Sequence, residues 1–209
     1  MVKNGPDVDE AYALRTPDDS RKLYADWADS YDSGFAVQND YILHIETAYA
    51  FAEAGGSGPV LDVGAGTGLC GAVLSKLGIG PIDATDISAE MLAMAMRKDV
   101  YRDAIEADLT HGVPVPPASY AGIISSGTFT TGHVGPNAID GLLAVARPGA
   151  QFALSVNAQH YESEGFAAKF ALLEPHISGL TLKDVPIYGP KSSSDHKSDR
   201  AFVASFQKT

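Results

Sequence analysis

Apolar positions along the middle of the chain fall into two alternating patterns. Short β-rich runs at 60–63, 81–85, 101–104, 120–125 and 151–156 read as strands. Between them, stretches at 68–77, 89–98 and 137–146 carry apolar residues at helical spacing, the last ended by Arg147-Pro148-Gly149. Strand–helix alternation with short links predicts a parallel sheet covered on both faces. Ahead of this region, Thr16-Pro17-Asp18-Asp19 marks a helix start, with a helical pattern to residue 31. A second helix is predicted over 37–54, stopped by Gly55-Gly56. Behind it, 180–188 and 200–209 read as two strands around a polar loop at 189–199, and residues 1–15 are polar enough to fray. The pattern predicts one α/β domain preceded by two helices.

Composition narrows what such a domain can bind. The chain has 209 residues, 45% hydrophobic and 20% charged, with a formal net charge of −11. That field repels phosphate backbones, and Lys76, Arg97, Lys98 and Arg102 are scattered rather than clustered, so no nucleic-acid partner is expected. The single cysteine, Cys70, excludes an intrachain disulfide and favours a reducing compartment. It lies among Leu69, Ala72, Val73 and Leu74, which points to a buried structural thiol rather than a nucleophile. The first twenty residues hold no apolar signal core, and no apolar run suits a membrane span, so a cytoplasmic protein without a membrane partner is expected.

Chemistry concentrates in "LDVGAGTGLC", residues 61–70, where glycines stand at every second position between a strand and a helix. Glycine admits positive φ and close backbone approach, and a helix start offers unpaired N–H groups, so the turn suits a ligand held against backbone. The dinucleotide fingerprint G-x-G-x-x-G is not met, because the third glycine, Gly68, comes one residue early. No Lys-Ser/Thr pair follows, which excludes a phosphate-binding P-loop. Asp62 instead puts a carboxylate under the turn, suited to a cationic or N–H-rich ligand. Asp86, 22 positions after Gly64, has the reach to accept both hydroxyls of a ribose. Asp108 after the third strand can accept from an exocyclic amine, and Leu109 can face a flat ring. Together these describe a nucleoside with a ribose, an adenine and no phosphate.

On "VLDVGAGTGL" (60–69), "ATDISAEML" (84–92), "EADLT" (106–110) and "ISSGTF" (124–129), the chain resembles the class I S-adenosylmethionine-dependent methyltransferases. The segments "YADWADSYDSGF" (24–35) and "SSGTFTTGHVGP" (125–136) resemble, more narrowly, the methyltransferase-like group named after the Williams–Beuren critical region. The resemblance implies a Rossmann-like sheet of seven strands, mostly parallel with the last antiparallel, helices on both faces and the two N-terminal helices as a lid. It divides the chain into lid helices (1–54), a cofactor-binding core (55–160) and a C-terminal helix with a strand pair (161–209). It also implies roles. Asp62, Gly64, Ala65 and Gly66 line the amino-acid end of S-adenosylmethionine. Asp86 takes the ribose hydroxyls, with Ile87 and Met91 beside the adenine. Asp108 and Leu109 contact the adenine edge and face, and Ser125 sits beneath the sulfonium. Tyr24, Trp27 and Tyr31 either close over the cofactor or pack into the core. The expected product is S-adenosylhomocysteine, and no metal is expected.

For methyl transfer, alignment and desolvation do most of the work, and a general base helps only where the acceptor loses a proton. His133 is the only titratable side chain in "SSGTFTTGHVGP" and is the candidate base, against a structural role for a loop histidine. Thr128, Thr130 and Thr131 could orient an acceptor or merely cap the following helix. His44 and Glu46 on the second helix, and His160 with Tyr161 after the fifth strand, are less promising. Asn157 does not begin the Asn-Pro-Pro-Tyr-type motif of similar nucleic-acid and glutamine methyltransferases. The expected function is methyl transfer to a small-molecule acceptor. The alternatives are a cofactor-binding regulatory or partner-scaffolding protein, a protein methyltransferase, and a nicotinamide-dependent oxidoreductase with an atypical turn.

Overall fold

A computed structural model of the chain describes residues 8–130 and 134–209. Seven strands form one sheet: β1 (Val60–Val63), β2 (Ile82–Asp86), β3 (Asp103–Glu106), β4 (Tyr120–Phe129), β5 (Ala146–Asn157), β6 (Ile177–Pro186) and β7 (Arg200–Lys208). Their order across the sheet is β3-β2-β1-β4-β5-β7-β6. The first five run parallel, while β7 is antiparallel to both of its neighbours. The order reverses between β1 and β4, and ligands of open parallel sheets bind beyond the strand ends at such a switch point.

Side chains alternate across each strand, so one sheet serves two cores. Val60, Ile124, Ala153 and Val203 face α2 (Pro17–Trp27), α3 (Leu43–Glu53), α4 (Leu69–Lys76) and α5 (Ala89–Met96) through Trp27, Phe51, Leu74 and Met91. On the other face Leu61, Ile123, Phe152 and Phe206 meet α6 (Ala138–Val145), α7 (Ala158–Ser163) and α8 (Phe166–Leu173) through Ile139, Leu142, Phe166 and Phe170. Phe152 and Phe206 stack at 4.6 Å between ring centres. Burying each such ring contributes about 1.5–3 kcal/mol.

Several boundaries differ from the sequence expectation, each for a contact made at long range. β3 starts at Asp103 rather than 101 because Tyr101 and Arg102 serve as anchors. The Tyr101 hydroxyl donates to Asp62 at 2.7 Å, and Arg102 grips Asp83 through Nε (2.9 Å) and Nη2 (2.6 Å). The helix expected over 37–54 begins only at Leu43. Asp40 adopts φ 49°, and Tyr41 bridges to Tyr188 of the C-terminal segment. The Asp40 carbonyl accepts the Gly189 N–H at 2.7 Å and its carboxylate the Lys191 N–H at 2.9 Å, so the tail loop breaks the helix. Between Trp27 and this break lies a π-helical stretch, Asp32–Ala36. β4 runs past the expected 125 to Phe129 through an irregularity at which Gly127 takes φ 82°.

α1 (Val8–Tyr12) is tied to the tail loop by His196. Its Nε2 lies 2.9 Å from Asp9 and its Nδ1 3.1 Å from Asp199, an arrangement an imidazolium satisfies by donating from both nitrogens. The hydrogen bond to Asp9, with a further one to Asp199, raises the His196 pKa against the opposing effect of burial. An unfolded histidine titrates near 6.5. The latch is therefore fully present below that pH and is lost as pH rises through the higher folded value. Limited proteolysis at the segment containing Asp9 should accelerate across that window in the wild type. His196→Gln should cleave at one rate throughout, and an unchanged pH profile in that variant would rule the latch out.

Candidate functional site

The site starts at the turn after β1. Gly64, Gly66 and Gly68 take φ of 64°, 54° and 88°, so the sequence spacing corresponds to three consecutive backbone reversals that only glycine enters freely. Two of them serve different needs. A Cβ at Gly68 would lie 2.7 Å from the Tyr101 ring, so this glycine exists for packing. At Gly66 a Cβ would stand in open space, on the wall of a cavity.

Asp86, at the end of β2, holds the turn in place. One carboxylate oxygen accepts the Gly66 N–H at 2.8 Å and the other the Ser88 N–H at 2.9 Å. Burial raises its pKa above the ordinary carboxylate value, an effect these backbone N–H groups reduce without cancelling. Ser88 in turn caps α5 by accepting from the Met91 N–H at 3.2 Å. Asp108 caps the short helix 109–111, accepting from the Thr110 N–H at 2.9 Å and the Thr110 hydroxyl at 2.7 Å. Burial opposes ionisation of Asp108, but the hydrogen bonds from Thr110 and His111 outweigh it and its pKa is lowered.

A cavity of about 180 Å³ lies over the carboxyl ends of β1, β2 and β4. Of the positions expected from sequence, Tyr24, Tyr31, Gly64, Ala65, Gly66, Asp86, Ile87, Met91, Asp108 and Leu109 all line it. Trp27, Asp62 and Ser125 stand one layer behind. Trp27 is buried and stacks on Phe35 at 6.0 Å. The Ser125 hydroxyl donates to the Val63 carbonyl at 2.8 Å, bracing β4 against β1. Asp62 is buried beneath the turn, where desolvation lifts its pKa to about 6 against hydrogen bonds from Tyr101 and the Gly71 N–H. Its Oδ1 has no hydrogen-bond partner among the described residues. His133 lies outside the described residues, between Thr130 and Val134, which both line the cavity.

Sequence reasoning passed over much of the remaining wall. Phe35, Tyr41, His44, Ser126, Asn157 and Tyr188 all line the cavity. His44, rated less promising as one residue of a helix, has its pKa pushed down to about 4 by burial, despite the nearby charge of Asp32. It is a neutral imidazole at pH 7. Burial pushes the Tyr41 hydroxyl up to about 12. Asp32 fastens the π-helical stretch to the turn, accepting from the Thr67 hydroxyl and pairing with Lys98 Nζ at 2.5 Å. The quoted segment 24–35 already contained Phe35 and Asp32, but the partners Thr67 and Lys98 are remote in sequence.

The comparisons with known proteins agree with this geometry. Residues 60–149 match a family model described as a methyltransferase domain. No curated protein matches the chain in sequence. Among solved structures, the 1,6-didemethyltoxoflavin-N1-methyltransferase of Burkholderia thailandensis, with 1,6-didemethyltoxoflavin and S-adenosylhomocysteine bound, superposes with a TM-score of 0.64 at 21% identity. That match covers 94% of this chain and 92% of that chain. A TehB-like methyltransferase from Corynebacterium glutamicum gives 0.62 at 20% identity, over 90% of this chain and 99% of that one. The cyclase SpnF gives 0.68 at 15% identity, over 93% and 97%. At these identities the likeness speaks to the fold. With the turn geometry, the family match makes residues 60–149 a methyltransferase domain, set in a fold shared with S-adenosylmethionine-dependent methyltransferases.

The described residues fit its cofactor, S-adenosylmethionine. The cavity wall carries two carboxylates, Asp86 and Asp108, and no lysine or arginine among the described residues. Such a wall suits a cationic nucleoside and offers nothing to a pyrophosphate. Among the described residues no cluster of three or more His, Cys, Asp or Glu could hold a metal ion, and no helix is long and apolar enough to cross a membrane.

The Asp32–Lys98 pair is partly exposed, and such pairs are worth up to about 1 kcal/mol, or roughly fivefold in affinity. Lys98→Met should weaken S-adenosylhomocysteine by up to that factor in low-salt calorimetry. The difference should vanish near 1 M salt, where the screening length is about 3 Å. A salt-independent loss would mean that Lys98 acts by packing alone.

Proposed function

We propose that the chain transfers a methyl group from S-adenosylmethionine to a small, uncharged acceptor. The observation that carries this reading is the division of the cavity wall. Both carboxylates, Asp86 and Asp108, stand at the ends of β2 and β3, whereas the wall over β4 and β5 has hydroxyl, amide and aromatic groups and no charged side chain among the described residues. A nucleoside held at the first end points its reactive group across the switch point toward the second.

When bound, S-adenosylmethionine supplies an electrophilic methyl group on a sulfonium. The chain's own residues position and desolvate. The turn at Gly64–Gly66 lies under the amino-acid end, and the spare lone pairs of the Asp86 carboxylate accept from the ribose hydroxyls. Ile87, Met91 and Leu109 sandwich the adenine, with Asp108 at its edge. Tyr24 and Tyr31, on the N-terminal lid, exclude water from above. Asp62 and Ser125 act one step removed, by stiffening the turn and the end of β4. His133 is the candidate base for an acceptor that must lose a proton, placed by chain position between two cavity residues. The 1,6-didemethyltoxoflavin bound in the Burkholderia thailandensis structure supports a small-molecule acceptor for this fold.

Two measurements test the reading. S-adenosylhomocysteine at 100 times its Kd should stabilise the protein by about 2.7 kcal/mol, or roughly 5–10 °C in Tm for a chain of this length, and NAD should not. Incubation with methyl-labelled S-adenosylmethionine and a metabolite pool should then release S-adenosylhomocysteine and a labelled product. Cofactor binding without turnover would favour a binding protein, and the SpnF likeness shows that this fold also hosts chemistry named otherwise. Asp86→Ala should weaken the cofactor at least about tenfold, since hydrogen bonds to a charged group are worth about 1.5–3 kcal/mol each. Wild-type affinity in Asp86→Ala would dislodge the ribose assignment.

A further inference from the structure

The uncharged end of the cavity is a box of rings brought together from two distant segments, 31–44 and the chain around Tyr188. Tyr31 and Phe35, flanking and within the π-helical stretch, stack at 5.0 Å with an interplanar angle of 19°. Tyr41, before α3, meets Phe35 at 6.1 Å and Tyr188, after β6, at 6.1 Å, tilted 58° to each. Tyr41 also stacks on His44 at 5.5 Å and 23°. Ser126 and Thr128 from β4 also line the cavity. The Tyr41 hydroxyl approaches Ser126 Oγ at 3.4 Å, which puts the box beside the end of β4.

Flat aromatic walls favour a flat ring, because offset stacking and edge-to-face contacts both need a planar partner. Charge is disfavoured from both sides. Among the described residues that line the box, a carboxylate would meet no basic side chain but the neutral His44, and an ammonium would meet no carboxylate while lying next to the donor's own positive charge. One polar atom of the box still lacks a partner. His44 Nδ1 makes no hydrogen bond among the described residues and is closed off from the cavity, so a ligand there would meet the rest of the imidazole, which lines the wall. Buried polar atoms are nearly always paired, and this nitrogen is the one enclosed side-chain polar atom of the box without a hydrogen bond among the described residues.

We propose that this box is an acceptor site for a neutral, planar ring compound bearing an O–H or N–H edge, with His44 as the positioning residue that hydrogen-bonds that edge. The assignment rests on the methyltransferase reading for the donor's place, but its test is a binding measurement that does not require turnover. The Tyr41 stack keeps the imidazole plane fixed, and its neutrality at pH 7 leaves one ring nitrogen as an acceptor and the other as a donor.

The experiment uses one ring system with four substituents: 2-naphthol, 2-methoxynaphthalene, 2-naphthoate and 2-naphthylmethylammonium. Each is titrated at pH 7 into the full chain saturated with S-adenosylhomocysteine, with binding followed by calorimetry or ligand-observed NMR. 2-Naphthol should bind at least about tenfold tighter than the carboxylate and the ammonium, and about tenfold tighter than the methoxy compound, which cannot donate. His44→Phe, which keeps a ring and removes both nitrogens, should bring naphthol and methoxynaphthalene to within about twofold of each other. His44→Gln should recover part of the difference, and both variants should hold S-adenosylhomocysteine as the wild type does.

Ammonium binding as tight as naphthol would make the box a cation cage and overturn the neutral assignment. An unchanged naphthol-to-methoxy ratio in His44→Phe would remove His44 as the positioning residue. Failure of all four probes on cofactor-loaded protein would overturn the ring class while leaving the methyltransferase reading intact. Failure of S-adenosylhomocysteine itself to bind would instead strike the earlier reading.

Discussion

The partly buried carboxylate of Asp86 is the constraint on which the rest of the site depends. Its two oxygens tie the backbone of the glycine turn after β1 to the start of α5, at 2.8 Å and 2.9 Å. Three positive-φ residues in one short turn have many alternatives in an unrestrained chain, and ordering each residue costs about 1–2 kcal/mol. A charge-assisted bond from inside the sheet selects one of those conformations before any ligand arrives. Removing that carboxylate would loosen both the cofactor cradle and the cap of α5.

Around this fixed floor the chain builds a wall from elements of lesser intrinsic stability. A π-helical stretch, a positive-φ aspartate at position 40 and a two-residue bridge between Tyr41 and Tyr188 all lie on the acceptor side. Such irregular backbone gathers at functional sites, where the surrounding structure over-determines it. Here the determinants are Asp32 on Thr67 and Lys98, Asp40 on the loop at 189–191, and His196 between Asp9 and Asp199. The last two join the N-terminal segment to the C-terminal loop, and the first joins it to the glycine turn and the end of α5. The N-terminal helices and the C-terminal loop thus form one cover over the strand ends.

The cavity beneath that cover is chemically polarised. Its end over β2 and β3 carries the carboxylates and its end over β4 and β5 carries rings and hydroxyls among the described residues, so a positively charged ligand would be attracted to the first end rather than the second. Electrostatic interactions strengthen as water is excluded. A fold whose floor recognises the cofactor and whose cover recognises the acceptor can change acceptors by changing the cover alone, which agrees with the diversity of named activities among its structural neighbours.

Local signals in the sequence determined the floor. Strands β1 and β2, helices α4 and α5, the glycine turn, Asp86 and Asp108 follow from hydrophobic period, capping residues and glycine spacing, each expressed within some ten residues. The resemblance to a methyltransferase superfamily rested on the same short segments. Tertiary structure alone decided the cover. That Asp40 would break a helix depends on N–H groups 149 and 151 residues away (189 − 40 and 191 − 40). That His44 would be a neutral cavity residue rather than one polar position on a helix depends on burial by Tyr41 and neighbours far along the chain. Trp27, Asp62 and Ser125 show the converse: their motifs suggested a place at the ligand, and packing set them one layer behind the cavity wall. Periodicity reports which face of an element is buried, but only the meeting of remote segments reports what it is buried against.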